Sequence, residues 1–425
     1  MLQRISRLVL PPAILIAALA AYRLIFGFAS PPMDSLRLPR REPWPVTASS
    51  REERVCTGDQ LAAVLERVKP PRDGLTSNHL VHALRLWGPG AEFGDPSVTS
   101  GPVMRDYLLD DRVFQQLAGE KSPPLFYRGD GGVDLRSYDD AAEFQHTSSY
   151  HTDDVLATLA ESGVPLDAPL HLRGGQSRVA DLLTGSMQRF YLGRHEYEWS
   201  IIAFARYAHP LVPWRNKYGE KIDVEALVKE LTDKPAELGP CGGLHRLEAL
   251  AVMYRIDQQS PALPLRVRQR MRTYMKQASD RLVRSQSVDG YWSSGWSKNQ
   301  PQVENSKSKF AESTLHDKLL VTGHHLEWLA LAPAEVQPPR ETIVRAGQWL
   351  TRTLLELDAG QLHKAYGPYS HAARALCLWK GVEPMEAWRK RSKVREQTSE
   401  SRGQRREVRN QGTRDSRQIC NSQSE

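Results

Sequence analysis

Cysteine is scarce in this chain: Cys56, Cys241, Cys377 and Cys420 are scattered over 425 residues with no Cys-x-x-Cys pair. That excludes a disulfide framework and a zinc knuckle. Long hydrophobic runs are equally rare, with a single one near the N-terminus. No stretch shows the repeated strict alternation of apolar and polar residues from which a sheet protein is built. The motifs His-Glu-x-x-His, Gly-x-Ser-x-Gly and Gly-x-Gly-x-x-Gly are absent, and no Gly-Lys-Ser or Gly-Lys-Thr follows the glycine-rich segment near Cys241, so it is no phosphate loop. Hydrophobic residues make up 40% and charged residues 25%, a globular composition that rules out collagen-like and wholly disordered chains.

Basic charge is missing from the middle of the chain. The formal charge is +7, but residues 1–41 and 386–425 carry +5 each, leaving 42–385 at −3. Nucleic-acid binding by the main domain therefore loses its chief support, and a membrane surface becomes the natural partner of the two ends. Residues 8–28 form an apolar stretch of about twenty residues, interrupted only by Arg23, near the length that spans a bilayer core. Arg4 and Arg7 precede it within a basic 1–7 segment. A weak Gly27/Ala29 cleavage site would make it a signal peptide, but Pro31 and the bulky Leu24, Ile25 and Phe26 favour an uncleaved signal anchor, with Arg23 snorkelling to an interface. The Pro-rich residues 29–55 read as a linker. Arg37, Arg40 and Arg41 balance the arginines on the other side, so charge sets no orientation. From Arg389 onward Ser, Gln and Arg dominate, and 386–425 read as a disordered basic tail.

Between the ends, 56–385 read as helices of two kinds. One kind is amphipathic: 265–286 places Val267, Met271, Tyr274, Met275, Ala278 and Leu282 on one stripe, and 343–357 does so through Ile343, Gly347, Leu350 and Leu354. Residues 59–68, 177–192 and 223–231 are of the same type. The other kind is apolar nearly all round and is expected to open with Gly, Ser or Asn followed by His, at His79, His195, His245, His324–His325 and His371. Three members share His-x-x-Glu: His195 with Glu198, His245 with Glu248, and His324 with Glu327. The alternation predicts a repeat of two helices, with the polar stretch 293–314 as a long surface loop. A helix apolar on every side is buried on every side, which fits a closed ring of hairpins with all inner helices starting at one mouth.

Gln286-Ser-Val-Asp289-Gly290-Tyr-Trp292 resembles the Gln-Trp repeat of squalene-hopene cyclases and related prenyltransferase-type proteins, and Ala346-Gly347-Gln348-Trp349-Leu350 resembles the first half of a second copy. The likeness covers about Cys56 to Gly381 and implies an all-α fold, an (α/α) toroid of about five to six helical hairpins, here preceded by a transmembrane helix. The chemistry does not carry over. The Asp-x-Asp-Asp acid of the cyclases is absent, since only Asp110-Asp111, Asp139-Asp140 and Asp153-Asp154 occur, and the Asp, Cys and His zinc set of protein prenyltransferases has no placed counterpart.

Candidate site residues gather at the expected mouth. Cys241 and His245 are expected to act as a metal-ligand pair for a divalent ion such as zinc, or as a nucleophile and base with the thiolate favoured at a helix start. His325 and His371 stand opposite as acid-base groups or further ligands. Glu198, Trp199, Glu248, Glu327 and Trp328 are expected to contact the ligand, a lipid-like, isoprenoid or glycan-like molecule. Trp292, Trp296, Trp349 and Trp379 are candidates for lining a hydrophobic small-molecule cavity. Each has a plainer alternative: glutamates holding histidines in a packed polar layer, a tight glycine turn with an inert buried Cys241, and tryptophans as core. His151-Thr-Asp153-Asp154 reads as a helix cap, with Thr152 or Asp153 at the N-cap. A non-catalytic scaffold that holds a partner at the membrane is the competing function.

Overall fold

In the computed structural model the apolar-all-round segments fold as buried helices and the striped segments lie against them. The structure describes residues 40–73, 75–119, 122–129, 131–135, 137, 149, 151–194, 196–236, 240–298, 314–358 and 366–390. The anchor segment 8–28, the tail from residue 391, His195, Asp139-Asp140 and most of the 293–314 loop lie outside them. Among the described residues no helix is long and apolar enough to cross a membrane.

The chain is mostly helical. In order come α1 (Gly58–Arg67), α2 (Ser77–Trp87), α3 (Gly101–Tyr107), α4 (Asp111–Ala118), β1 (Phe126–Gly129), β2 (Gly132–Leu135), α5 (Asp154–Glu161), β3 (Pro169–Leu172), β4 (Gly175–Arg178) and α6 (Val179–Arg189). Then follow α7 (Glu198–Ala208), β5 (Trp214–Arg215), β6 (Lys221–Ile222), α8 (Val224–Asp233), α9 (Pro240–Gln259), α10 (Leu265–Ser285), α11 (Leu315–Leu331), α12 (Arg340–Glu356) and α13 (Tyr366–Lys380). A final helix, α14, spans 384–390. The three short antiparallel hairpins, β1 with β2, β3 with β4 and β5 with β6, depart from an all-α reading. Each has too few residues for a legible alternation pattern.

Helices α2, α5, α7, α9, α11 and α13 pack each on the next, and α13 returns to pack on α2. These are the apolar-all-round helices. Every residue of α7 is buried, as is the run Thr322–Leu331 of α11. Helices α1, α6, α8, α10 and α12 lie against them and bury single stripes. In α10 the buried set is Val267, Met271, Met275, Ala278, Ser279, Leu282 and Ser285, with Tyr274 half-buried. Arg and Lys hold its other faces, as a one-sided helix requires. Gly323 sets one of these contacts. A Cβ there would stand 2.9 Å from the Ala372 backbone nitrogen, so only glycine lets α11 and α13 approach to this distance.

The loop after α10 is tied at both ends. The Gln286 side-chain amide donates to the carbonyls of Gly290 and Thr342, both at 2.8 Å, and the Trp292 indole donates to the Leu282 carbonyl at 2.9 Å. Gln348 donates to the Arg54 carbonyl at 3.1 Å, while Trp349 packs its ring on Tyr291.

Two expected boundaries move. Residues 44–52 belong to the helical body: the amides of Trp44, Ser49 and Glu52 donate to the carbonyls of Arg206, Ala330 and Trp379. At the other end α14 carries Trp388, which donates to Glu66 at 2.6 Å and packs on Phe93, so the ordered body extends past 385.

Candidate functional site

The site grows from charged and imidazole side chains on helices that are otherwise apolar. A lone ionised group there would be prohibitively desolvated, so each must meet a partner from another helix. All six mutually packed helices contribute: His82 and Arg85 from α2, Glu161 from α5, Arg206 from α7, His245 and Glu248 from α9, His324 and Glu327 from α11, and His371 and Arg374 from α13. All of these except His82, Arg85, Glu161 and Arg374 are at most 4% exposed, and the side chains of Arg85 and Glu161 are similarly enclosed, at 5% and 3%.

Glu327 is the best-satisfied carboxylate. His371 donates to its Oε2 at 2.7 Å, His324 approaches the same oxygen at 3.2 Å, and Arg374 donates to Oε1 at 2.9 Å. Arg374 also lies 3.6 Å from Glu248 and 3.8 Å from Glu161. Glu161 pairs with Arg85 and stands 3.6 Å from Arg206. The imidazoles form a chain through the middle: His82 meets His371 edge-on at 4.8 Å between ring centres, His371 lies 3.7 Å from His324, and His324 is 5.3 Å from His245.

Burial decides the charge of most of these rings. It pushes His82 down to about 3 and holds His245, His325 and His371 well below the ordinary imidazole range, the neighbouring imidazoles and Arg85 adding to the effect at His245. These are neutral imidazoles. Burial alone would raise Glu327, but His371 and Arg374 carry it well below the usual carboxylate range. Glu248 goes the other way. Burial and the carboxylates of Glu327 and Glu161 raise it to about 7, against the opposing pull of Arg374.

A raised carboxyl in the folded state contributes stability that is present below the unfolded value of about 4.3 and is lost as the pH rises through the folded value. The wild-type protein is therefore expected to lose on the order of 1–3 kcal/mol between about pH 5 and about pH 7 through this group. The Glu248→Gln variant should lack that slope in urea denaturation at the two pH values.

A second group adjoins this cluster. His151, just before α5, faces His245 edge-on at 5.3 Å, and one ligand atom from each of His151, Cys241 and His245 lies within 4.8 Å of the others. The Glu196 carboxylate accepts a hydrogen bond from His151 Nδ1. Trp199 stands 4.7 Å from His245, and the Arg85 guanidinium lies 4.2 Å over its ring. Cys241, Gly242 and Gly243 are all left-handed, with φ of 50°, 69° and 82°, so helical geometry in α9 starts only after them. Two glycines permit that turn, and the Trp296 indole holds it by donating to the Gly242 carbonyl at 3.3 Å.

Several expectations change here. The histidines do not share helix starts. Helix α11 begins at Leu315 and α13 at Tyr366, so His324 and His371 lie inside their helices. His324 rather than His325 faces the centre. His325 accepts a hydrogen bond from the Trp328 indole at 3.0 Å and sits among Trp292, Trp296 and Trp328. Cys241 has no lowered pKa: burial and the carboxylates of Glu196 and Glu198 push its thiol up to about 12. Asp153 occupies the N-cap position of α5 without capping it, at φ 56°, and accepts instead from the hydroxyls of Ser186 and Ser200.

Glu198 stands 3.6 Å from Arg246, at the edge of the cluster. Of the tryptophans, Trp292, Trp296, Trp328 and Trp379 are fully buried. They tie helices together, as when Trp379 donates to the Leu326 carbonyl at 2.9 Å. Trp199 is the one that touches the histidine chain through His245.

Sequence reasoning missed His82, Arg85, Glu161, Arg206 and Arg374, and read His151 only as part of a cap. One signal was available. His82-x-x-Arg85 and His371-x-x-Arg374 continue the His-x-x-Glu rhythm with the opposite charge, three residues apart on one helix face. Neither a family model, nor a curated protein, nor a solved structure matches this chain.

Proposed function

We propose that the chain is a membrane-tethered (α/α) toroid of about six helical hairpins that binds and transforms a ligand at the corner formed by His151, Trp199, Cys241 and His245. Of the ligand classes that suit such a fold, a polar, glycan-like molecule fits better than an isoprenoid. The groups nearest the corner are imidazoles, carboxylates and guanidinia, with the Trp199 indole packed among them. The apolar stretch 8–28 would provide the tether.

The observation that carries this reading is strain. Among the described residues the only non-glycine positions with positive φ are Asp153, Glu196 and Cys241. Asp153 and Cys241 flank the ring pair His151 and His245, and Glu196 is bonded to His151. Such conformations cost on the order of 1–3 kcal/mol each and persist where the surroundings hold them for a purpose. Glu248, whose proton is held up to about 7, supplies an acid-base group near neutrality.

The full chain, purified in mild detergent and denatured, should release a polyhydroxylated small molecule detectable by mass spectrometry. Folded His245→Ala and Trp199→Ala variants should lose it. Recovery of nothing, or of the same molecule from both variants, overturns the assignment.

One observation favours a second reading, a non-catalytic scaffold. Arg85, Arg206 and Arg374 balance Glu161, Glu248 and Glu327, as a purely structural ionic layer would require. In that case His245→Ala changes stability and no ligand behaviour.

A further inference from the structure

We infer that His151, Cys241 and His245 bind a single zinc ion with its fourth coordination position open, Glu196 being the residue that orients His151. The inference rests on the same corner proposed above as the ligand site. One nitrogen or sulfur atom of each residue lies within 4.8 Å of the other two, roughly one ångström wider than the ~3.5 Å edge of a tetrahedral zinc site with ligand bonds of about 2.0–2.3 Å. Small side-chain rotations close that gap. Two imidazoles and one thiol form a borderline-soft donor set that suits zinc and excludes calcium and magnesium, which take oxygen ligands.

Three further observations point to a ligand at this place. His245 is 2% exposed, and its Nδ1 has no hydrogen-bond partner, an omission that buried polar atoms rarely tolerate. The Glu196 carboxylate accepts a hydrogen bond from His151 Nδ1, the carboxylate–histidine pairing that fixes a metal ligand's tautomer and direction. Both Glu196 and Cys241 are held at positive φ, 53° and 50°, so backbone strain is concentrated on the orienting residue and the sulfur ligand.

His324, Glu327 and His371 are also close enough to hold a metal, but Arg374 bonds the Glu327 carboxylate at 2.9 Å. A guanidinium already neutralises the group a cation would need. That triad belongs to the ionic cluster. His151 keeps 17% of its side-chain surface and Cys241 is half-buried, so the open position faces outward, where a water or a substrate oxygen completes the shell. On binding, Cys241 gives up its thiol proton to solvent and ligates as thiolate.

Cobalt(II) tests the assignment on the metal-stripped, full-length protein in detergent. The expected result is one equivalent bound, with a thiolate-to-cobalt charge-transfer band, strong tetrahedral d–d absorption, and displacement by zinc. Cys241→Ser should abolish the charge-transfer band, whereas Cys377→Ser, at a buried thiol elsewhere, should leave it intact. Glu196→Gln should keep the band and weaken affinity about 10–100-fold, as loss of an orienting partner does. Absence of the band in folded wild-type protein, or its survival in Cys241→Ser, overturns the inference. Should Cys241→Ser not fold, His151→Gln replaces it, and an unchanged affinity there has the same force. Stripped protein that still carries the co-purified small molecule but binds no cobalt rejects the zinc and leaves the ligand site standing. Protein that binds cobalt but carries no small molecule does the reverse.

Discussion

Replacing Arg374 by Met should destabilise the protein by about 3–5 kcal/mol, the range expected when one partner is removed from a buried ion pair. Arg374 stands between three carboxylates: it donates to Glu327 at 2.9 Å and lies 3.6 Å from Glu248 and 3.8 Å from Glu161. Glu327 and Glu248 are 0% and 2% exposed. Without the guanidinium, Glu161 keeps Arg85 and Arg206, but Glu248 and Glu327 face each other with no cation between them. They must either take up protons or stay charged in a medium that solvates them poorly. Since a domain's whole stability is about 5–15 kcal/mol, a loss of this size removes a third or more. Arg374→Lys should recover part of it, because the charge returns but the planar fork that reaches several carboxylates does not. Arg266→Met is the control: its pair with Glu225 is exposed and should change stability by less than about 1 kcal/mol. Urea denaturation of the three variants checks the ordering. A loss at Arg374 no larger than that at Arg266 would refute the network's importance.

Trp292→Ala should cost a comparable amount, about 3–5 kcal/mol, for a different reason. The ring is completely buried and its indole donates to the Leu282 carbonyl at the end of α10. Its backbone amide donates to the Thr322 hydroxyl oxygen at 2.9 Å. The residue thus joins the end of an outer helix to the inner helix α11 that carries His324 and Glu327. Truncation opens a cavity, removes one of the two hydrogen bonds to the Leu282 carbonyl, which keeps the Gln286 amide, and loosens the ring contact with His325 at 5.6 Å. The expected readout is a lowered denaturation midpoint together with faster proteolysis in the loop that follows. A midpoint shift equivalent to less than about 1 kcal/mol would show that the tie is dispensable.

The two helix classes were legible because burial leaves a pattern in composition. A helix that covers one stripe alternates polar and apolar residues with a 3.6-residue period, and one enclosed on all sides has no room for that alternation. Outer helices such as Leu265–Ser285 and Arg340–Glu356 therefore appear nearly where the pattern puts them. Helix starts were less legible. The apolar signal of α11 weakens over its first turn, where Leu315, His316, Asp317 and Lys318 mix polarity, so Gly323-His324 resembles a beginning although it lies mid-helix. Hairpins with strands of two to four residues are too short to leave any period.

The site was half legible for a related reason. A histidine or glutamate inside an apolar helix is conspicuous in the sequence, so His245, Glu248, Glu327 and His371 could be singled out from residue type alone. Which partner it meets depends on helices far apart in the chain. Arg85 and Glu161 meet across α2 and α5, and Glu327 meets Arg374 across α11 and α13. His151 comes to His245 from before α5, and the turn that presents Cys241 is left-handed, a conformation that the adjacent glycines permit but do not dictate.

The sequence by itself determined the helical class, the division into one-sided and enclosed helices, the basic ends around a mildly acidic body, and the presence of buried imidazole and carboxylate groups. These follow from local periodicity and composition. Only the tertiary structure decided which charges neutralise which, that His324 rather than His325 faces the centre, and that His151 joins Cys241 and His245. Pairing in a low-dielectric interior is set by distances between helices, and those exist only once every helix has found its neighbours.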